Sequence, residues 1–401
     1  MRNLWLLPAG IEEMMPVDAM RMERLRRALI DVCHVHGYDL VSPPLLEHLD
    51  SLLCGGGEDL EIETFKLVDH LSGRQLGIRA DMTPQIARID AHVLGAESPT
   101  RLCYAGPVLR ARTRQVFESR EQFQVGAELY GAESAEADVE IVELMLRCIN
   151  QCGFEGAHLD IGHVGIFRAL VQYAGLGHTM EADLFDALQR KSIPDLENIV
   201  SNADLSDLVA RLIVSLPELR GPINELENAL ESLAGAGAEI IEASDNLRIV
   251  AEALVLRQPR TDVYFDLSEL RGYHYHTGVV FSAFIDHHGR EVARGGRYDA
   301  VGAAYGRSRP ATGFSLDLRQ VINLNRETEI DDQCILAPAI SEFSDDARRQ
   351  ADELEAMITM LRERGERVVR AYGTGVADIP TGCNRQLVPD GNAWKVIPFA
   401  E

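Results

Sequence analysis

The chain has 401 residues, 46% of them hydrophobic and 25% charged, with 63 acidic against 39 basic side chains and a formal net charge of −24. That length calls for two or three domains, and no run of about 18 apolar residues is present to span a membrane. The acidic balance argues against a nucleic-acid partner, which would need clustered lysines and arginines to displace phosphate counterions.

The apolar run Leu4–Leu7 is too short for a signal peptide. Seven cysteines, an odd number without a Cys-x-x-Cys pair, point away from a disulfide framework and toward a cytoplasmic chain. Cys148 and Cys152 stand one helical turn apart and read as core.

In chain order, Pro16–His36 predicts an amphipathic helix. Pro16 suits its first turn, Met22, Leu25, Leu29 and Val32 share a face, and Gly37 provides the stop. Tyr38–Val41 predicts a short strand that ends at Pro43-Pro44, and Phe65–Val68 and Gln75–Arg79 two strands around Ser72-Gly73. In the segment ADMTPQIARIDAHVL, Thr83 is the expected N-cap, Pro84 the first helical residue, and Ile86, Ile89 and Val93 the buried stripe. Arg101–Leu109 and Glu121–Tyr130 read as long strands, and Ala135–Gln151 as a helix.

From about Val164 to Arg257 leucine and alanine dominate at helical spacing (Leu208, Val209, Leu212, Ile213, Leu216), which predicts a helical insertion. Strands return at Val263–Leu267 and Thr277–Ile285. Strands and helices mixed without βαβ alternation indicate an α+β core. The tail predicts a strand Cys334–Ala337, a helix capped by Ser344 and running to about Arg364, a stop at Gly365, and a strand Arg367–Ala371. The expected division is therefore a core over residues 1–325, with its insertion at about 164–257, and a small α/β domain over 326–401.

Three groups of residues could carry chemistry. On a strand Glu121–Tyr130, Gln124, Gly126 and Glu128 alternate onto one face, with Gly126 leaving room between the amide and the carboxylate. Arg110 on the neighbouring strand could fork a carboxylate. Arg271-Gly-Tyr-His-Tyr-His-Thr-Gly278 concentrates rings and hydrogen-bonding groups suited to a small, flat, polar ligand, and lacks the further ligands a metal would need. Gly295-Gly296 allows close backbone approach, and Arg297, Tyr298 and Asp299 follow it.

These segments together resemble the histidyl form of the class II aminoacyl-tRNA synthetases. YAGPVLRARTR with SREQFQVGAELYG is similar to motif 2, RGYHYHTGVVF to the histidine-specific signature, and GGRYD with ATGFSLDL to the approach to motif 3; Thr83 matches the element that holds the substrate's amino group. The match runs from about Leu4 to Leu324 and implies an antiparallel sheet flanked by helices. It also implies a histidine site formed by Asp81, Thr83, Arg110, Gln124, Glu128, Arg271, Tyr275, His276 and Tyr298. Asp81, Thr83 and Gln124 would face the amino group, Arg271 the carboxylate, and Glu128 with the tyrosines the imidazole.

The departures fall on the ATP side. Arg112 stands where the synthetase glutamate contacts adenine, and Gln320 where the motif 3 arginine belongs, with Arg319 one position away and so pointing elsewhere. His274 and His276 replace an acidic residue and a tyrosine of the signature, and the tail is shorter than an anticodon-binding domain. Losing a phosphate-binding arginine should cost adenylation orders of magnitude. With these departures the chain resembles the regulatory subunits of ATP phosphoribosyltransferase, whose family implies no catalysis, no cofactor or metal, and no tRNA. It implies instead a homodimer within a hetero-oligomer with the short-form catalytic subunit, activation of that chain at the first step of histidine biosynthesis, and feedback inhibition by L-histidine. The alternative is an active histidyl-tRNA synthetase.

Overall fold

The computed structural model describes residues 5–55, 57–113, 119–233, 235, 237–325, 333–339, 345–372, 382–391 and 393–399. Two compact units divide the chain, Met1–Arg326 and Glu327–Glu401.

The larger unit starts with α1 (Pro16–Val35), which carries proline in its first turn, buries Leu29 and Cys33, and ends before Gly37 at φ +85°. After β1 (Asp39–Leu40) comes a small antiparallel sheet of β2 (Leu46–His48), β3 (Phe65–Val68) and β4 (Gln75–Ile78), with α2 (Leu49–Leu53) and α3 (Gly57–Glu63) between β2 and β3. Next stand α4 (Thr83–Arg88), β5 (Thr100–Leu109), β6 (Glu121–Tyr130), α5 (Ala135–Gln151) and β7 (His158–His163).

The leucine-rich segment folds into α6 (Val164–Tyr173), α7 (His178–Gln189), α8 (Ile193–Ser201), α9 (Asp207–Ser215), α10 (Leu226–Ser232) and α11 (Ala238–Arg257). It is not purely helical, because β8 (Arg220–Pro222) pairs antiparallel with β9 (Asp262–Asp266) at the edge of the main sheet. The unit closes with β10 (Val279–Phe284), β11 (Glu291–Arg297), β12 (Ala311–Asp317) and α12 (Leu318–Leu324).

Nine strands form the main sheet in the order β1-β5-β6-β12-β11-β10-β7-β9-β8. Pairing is antiparallel from β5 to β7, while β1 runs parallel to β5 and β9 parallel to β7. Alternation on β6 gives the sheet its two characters. Val125, Ala127 and Leu129 join the main core with Ile141, Met145 and Ile149 of α5, Leu170 of α6 and Leu247 of α11. Each such leucine or isoleucine contributes roughly 1.5–3 kcal/mol by leaving water. Gln124, Gly126, Glu128 and Tyr130 point the other way, where a smaller cluster includes Met82, Ile86, Tyr104 and Tyr298.

Around α4 the structure differs from expectation. The cap residue is Met82, and the orphan amide of Thr83 is satisfied by Asp81 Oδ1 at 2.9 Å. The helix then widens into a π turn at Ile89–Leu94, which shifts its phase. Ile86 is fully buried, but Val93 emerges 62% exposed and leaves the stripe.

The second unit comprises β13 (Cys334–Ala337), α13 (Asp345–Glu363), β14 (Arg367–Arg370), β15 (Cys383–Asp390) and β16 (Ala393–Pro398), with strand order β14-β13-β15-β16. Its core gathers Ile335, Leu354, Ile358, Val368, Leu387 and Trp394. Gly365 follows the helix at φ +84°; Ser344, the expected cap, lies outside the described residues. Cys334 and Cys383 face each other in register and form a disulfide, which the odd cysteine count argued against. The other five cysteines are free, Cys148 and Cys152 among them in the core.

Candidate functional site

A cavity of about 500 Å³ opens on the polar face of the main sheet. Glu128 lines it, 1% exposed. One carboxylate oxygen accepts from the Tyr298 hydroxyl at 2.5 Å and the other from the Tyr104 hydroxyl at 2.9 Å. The Tyr130 hydroxyl lies 3.1 Å from that of Tyr298, and Thr83 Oγ1 3.3 Å from that of Tyr104. Burial pushes Glu128 up to about 8, against the two phenol hydrogen bonds that favour its ionised form.

Two glycines make this packing possible. Gly313 on β12 stands opposite Glu128, and a Cβ there would lie 1.5 Å from Glu128 Oε2. Gly126 is filled from its own side of the sheet: a Cβ would lie 2.5 Å from the Tyr104 hydroxyl, because Tyr104 is its partner on β5. The expected gap for a ligand at Gly126 is therefore occupied by the Tyr104 ring.

Tyr275 and His276 line the same cavity and leave polar atoms open. The Tyr275 hydroxyl and His276 Nδ1 are buried without a hydrogen-bond partner. The Tyr275 ring lies against that of Tyr298, centroids 5.0 Å apart. Burial lowers His276 to about 4, so its imidazole is neutral at physiological pH. His276 also requires Gly272, which sits at φ +67° with its missing Cβ 2.6 Å from His276 Cδ2.

Asp81 and Thr83 line the cavity beside them. Gln124 braces this wall: its amide oxygen accepts from Met82 N at 2.9 Å and its nitrogen donates to Asp81 Oδ1 at 3.2 Å. Gln124 itself faces a second cavity of about 420 Å³, and so does Arg110, whose Nε stands 3.6 Å from Glu63 Oε2. Seven of the nine predicted residues thus line one cavity, and Arg110 and Gln124 its neighbour.

Arg271 and Arg294 line both. Arg271 is held by Glu291 Oε2 at 2.9 Å and Glu269 Oε2 at 3.2 Å. Of the glycine-turn trio only Tyr298 faces the site. Arg297 turns to the opposite side and forms a buried pair with Asp138 at 3.0 Å, while Asp299 ties the turn to Thr277 and Ala311.

The residue that stands in the arginine's place is neutral. Gln320 lines the second cavity and donates to Glu291 O, 3.0 Å, with its nitrogen also 3.0 Å from His288 Nε2. Arg319 points away as expected, pairing with Glu121 at 3.1 Å and reaching Glu12 O at 3.2 Å. Arg112 is exposed.

Sequence reasoning missed Tyr104, Tyr130, Glu269 and Arg294. A signal existed for Tyr104, an aromatic strand residue that falls opposite a glycine once the hairpin is in register.

Residues 10–321 match the family model for histidyl-tRNA synthetase, and residues 332–397 the model for the ATP phosphoribosyltransferase subunit HisZ C-terminal domain. The ATP phosphoribosyltransferase regulatory subunit of Pseudomonas syringae pv. syringae (strain B728a) is 46% identical, covering 99% of this chain and 98% of the relative. That of Pseudomonas fluorescens (strain Pf0-1) is 47% identical over the same shares. The chain belongs to the ATP phosphoribosyltransferase regulatory subunits.

Among solved structures, this regulatory subunit is similar to an ATP phosphoribosyltransferase regulatory subunit/histidyl-tRNA synthetase from Bacillus halodurans C. The TM-score is 0.83 at 26% identity, covering 96% of this chain and 98% of that one. Histidyl-tRNA synthetase from Nostoc sp. PCC 7120 shares the fold, with a TM-score of 0.77 at 16% identity, covering 96% and 91%. The regulatory subunit is accordingly a non-catalytic member of a synthetase fold, and the synthetase alternative is not favoured. Among the described residues no helix is long and apolar enough to cross a membrane, and no cluster of metal-ligating side chains occurs.

Proposed function

We propose that this regulatory subunit binds L-histidine in the Glu128 cavity and, assembled with the short-form catalytic subunit of ATP phosphoribosyltransferase, transmits feedback inhibition at the first step of histidine biosynthesis. The observation that carries the reading is the set of polar groups around Glu128. A fully buried carboxylate, braced by two phenols, stands with an unpartnered Tyr275 hydroxyl in one pocket. An imidazole presents two nitrogens at opposite sides of a flat ring, one able to donate and one to accept. Glu128 takes the donor and Tyr275 the acceptor. A buried polar group left unpaired costs about 1–3 kcal/mol, which a ligand atom at Tyr275 would recover.

Asp81 and Thr83 stand where an ammonium group would sit, with Gln124 fixing the Asp81 carboxylate from behind. Arg271 receives the ligand carboxylate, which must draw it from Glu269 and Glu291. That exchange of partners is a switch on the histidine side of the site, and linkage allows it to bias a quaternary equilibrium by about 1–3 kcal/mol. The assembly contains two copies of this chain within a hetero-oligomer, in the cytoplasm, with no tRNA. Isothermal calorimetry of histidine with the assembled complex tests the site: Glu128→Gln should weaken binding by roughly 10–100-fold, the cost of leaving a buried imidazole donor without its acceptor. Unchanged affinity would place histidine elsewhere.

A further inference from the structure

Little apolar surface holds the small unit together. Among its described residues the core gathers eight buried side chains, and of these Leu387 and Trp394 alone come from β15 and β16. A unit of this size buries too little to be stable by a wide margin, so cross-links weigh heavily in it. The other ties of the β15–β16 hairpin include its pairing with β13, a bond from Trp394 Nε1 to Gln350 O at 3.3 Å, and an Arg385–Glu366 ion pair at 2.8 Å. That ion pair is open to water, where such pairs contribute little. The Cys334–Cys383 disulfide closes the chain across a sequence separation of 49. A bond of that reach shifts a folding equilibrium by roughly 30–1,000-fold.

The pair is also placed where thiol chemistry can reach it. Cys334 is fully buried on the central strand, whereas Cys383 is half-buried. They are the first residues of β13 and β15, and a bulge follows them, the next partners being Ile335 and Arg385. The bond therefore stands at the end of the ladder rather than within it. With the Cα atoms 4.3 Å apart on paired strands, it can break and reform without carrying the backbone far. The larger unit gives the contrast. There the Cys33 thiol contacts those of Cys103 and Cys148, yet all three are free and buried. Closeness of sulfurs is thus not enough; exchange also needs access.

We propose that Cys334 and Cys383 are a reversible thiol–disulfide switch that clamps the β15–β16 hairpin, with Cys383 the sulfur a thiol reductant attacks. A reductant thiolate bonds to Cys383 Sγ and expels Cys334 as a thiolate, which takes up a proton. A second reductant thiolate attacks the reductant's sulfur in that mixed disulfide and releases Cys383. The reductant leaves as its own disulfide, two electrons having passed to the protein pair, and that disulfide drives the reverse sequence. A switch rather than a permanent staple follows from the cytoplasmic setting proposed above, where disulfides that form are usually transient or sensing. The histidine reading has no part in it.

The full chain, equilibrated in glutathione buffers of stepped reduced-to-oxidised ratio and then alkylated for mass spectrometry, tests this. Cys334 and Cys383 should pass together from thiol to disulfide within the series, while Cys33, Cys103, Cys148 and Cys152 stay thiols. Amide hydrogen exchange on the same samples should be about tenfold faster or more in β15 and β16 when the pair is reduced, with β5 and β6 unchanged. Cys334→Ser should accumulate a glutathione adduct at Cys383, and Cys383→Ser at most about a tenth as much at Cys334. A pair that stays oxidised in millimolar reduced glutathione, or stays reduced in the oxidised form, overturns the switch. Hairpin exchange equal in the two states overturns the clamp. Adducts equal at the two positions overturn the order of attack.

Discussion

Replacing Glu128 by glutamine should flatten the dependence of stability on pH. In the folded protein burial raises Glu128 from its ordinary 4.5 to about 8. A group whose folded value is raised holds its proton more tightly when folded, so its contribution is complete below about 4.5 and is lost as pH rises toward 8. A tenfold difference in proton affinity between the folded and unfolded chain is worth about 1.36 kcal/mol. Between pH 5.5 and 8 the wild type should therefore lose roughly 3 kcal/mol that the glutamine variant, always neutral, retains.

Other buried groups titrate across this range or near it. Asp317 is raised to about 6, and His163 and His276 are lowered to about 4. They are common to both proteins and cancel in the difference. Urea unfolding followed by circular dichroism at half-unit steps of pH gives that difference for the transition that includes the larger unit. Curves parallel within about 0.5 kcal/mol would show that Glu128 titrates normally, and the argument from its burial would fail.

Gly313→Ala places a Cβ where Glu128 Oε2 now lies, at 1.5 Å. Displacing the carboxyl group forfeits its two phenol hydrogen bonds, about 0.5–1.5 kcal/mol each, so both urea stability and histidine affinity should fall. Arg297→Ala leaves Asp138 buried without its guanidinium, a change expected to cost about 3–5 kcal/mol in urea unfolding. Histidine calorimetry on the fraction that stays folded should be unaltered, because the Arg297 side chain faces away from the cavity.

The parts legible in the sequence were those set by local pattern. Glu121–Tyr130 and Ala135–Gln151 form their strand and helix at the residues predicted, because alternation and amphipathic spacing are properties of a single segment. Gln124 and Glu128 share a face for the same reason. The parts that escaped depend on partners far along the chain. Tyr104 fills the space over Gly126 only through the β5–β6 register, and Arg271 meets Glu291 across 20 residues. The Cys334–Cys383 disulfide joins residues separated by 49.

Short strands were lost for another reason. Leu46–His48 follows two prolines, and Arg220–Pro222 carries glycine and proline, so neither has a period long enough to read. At Thr83, cap chemistry set the helix start one residue late, because Asp81, two residues before, supplied the oxygen to the Thr83 amide.

Half-inhibition of ATP phosphoribosyltransferase by histidine, in the catalytic subunit reconstituted with this chain, tests the central claim most directly. Each complex is referred to its own rate without histidine. The complex carrying Glu128→Gln should need at least 10-fold more histidine for half-inhibition than the wild-type complex. An unchanged half-inhibiting concentration would contradict the claim that the Glu128 cavity senses histidine.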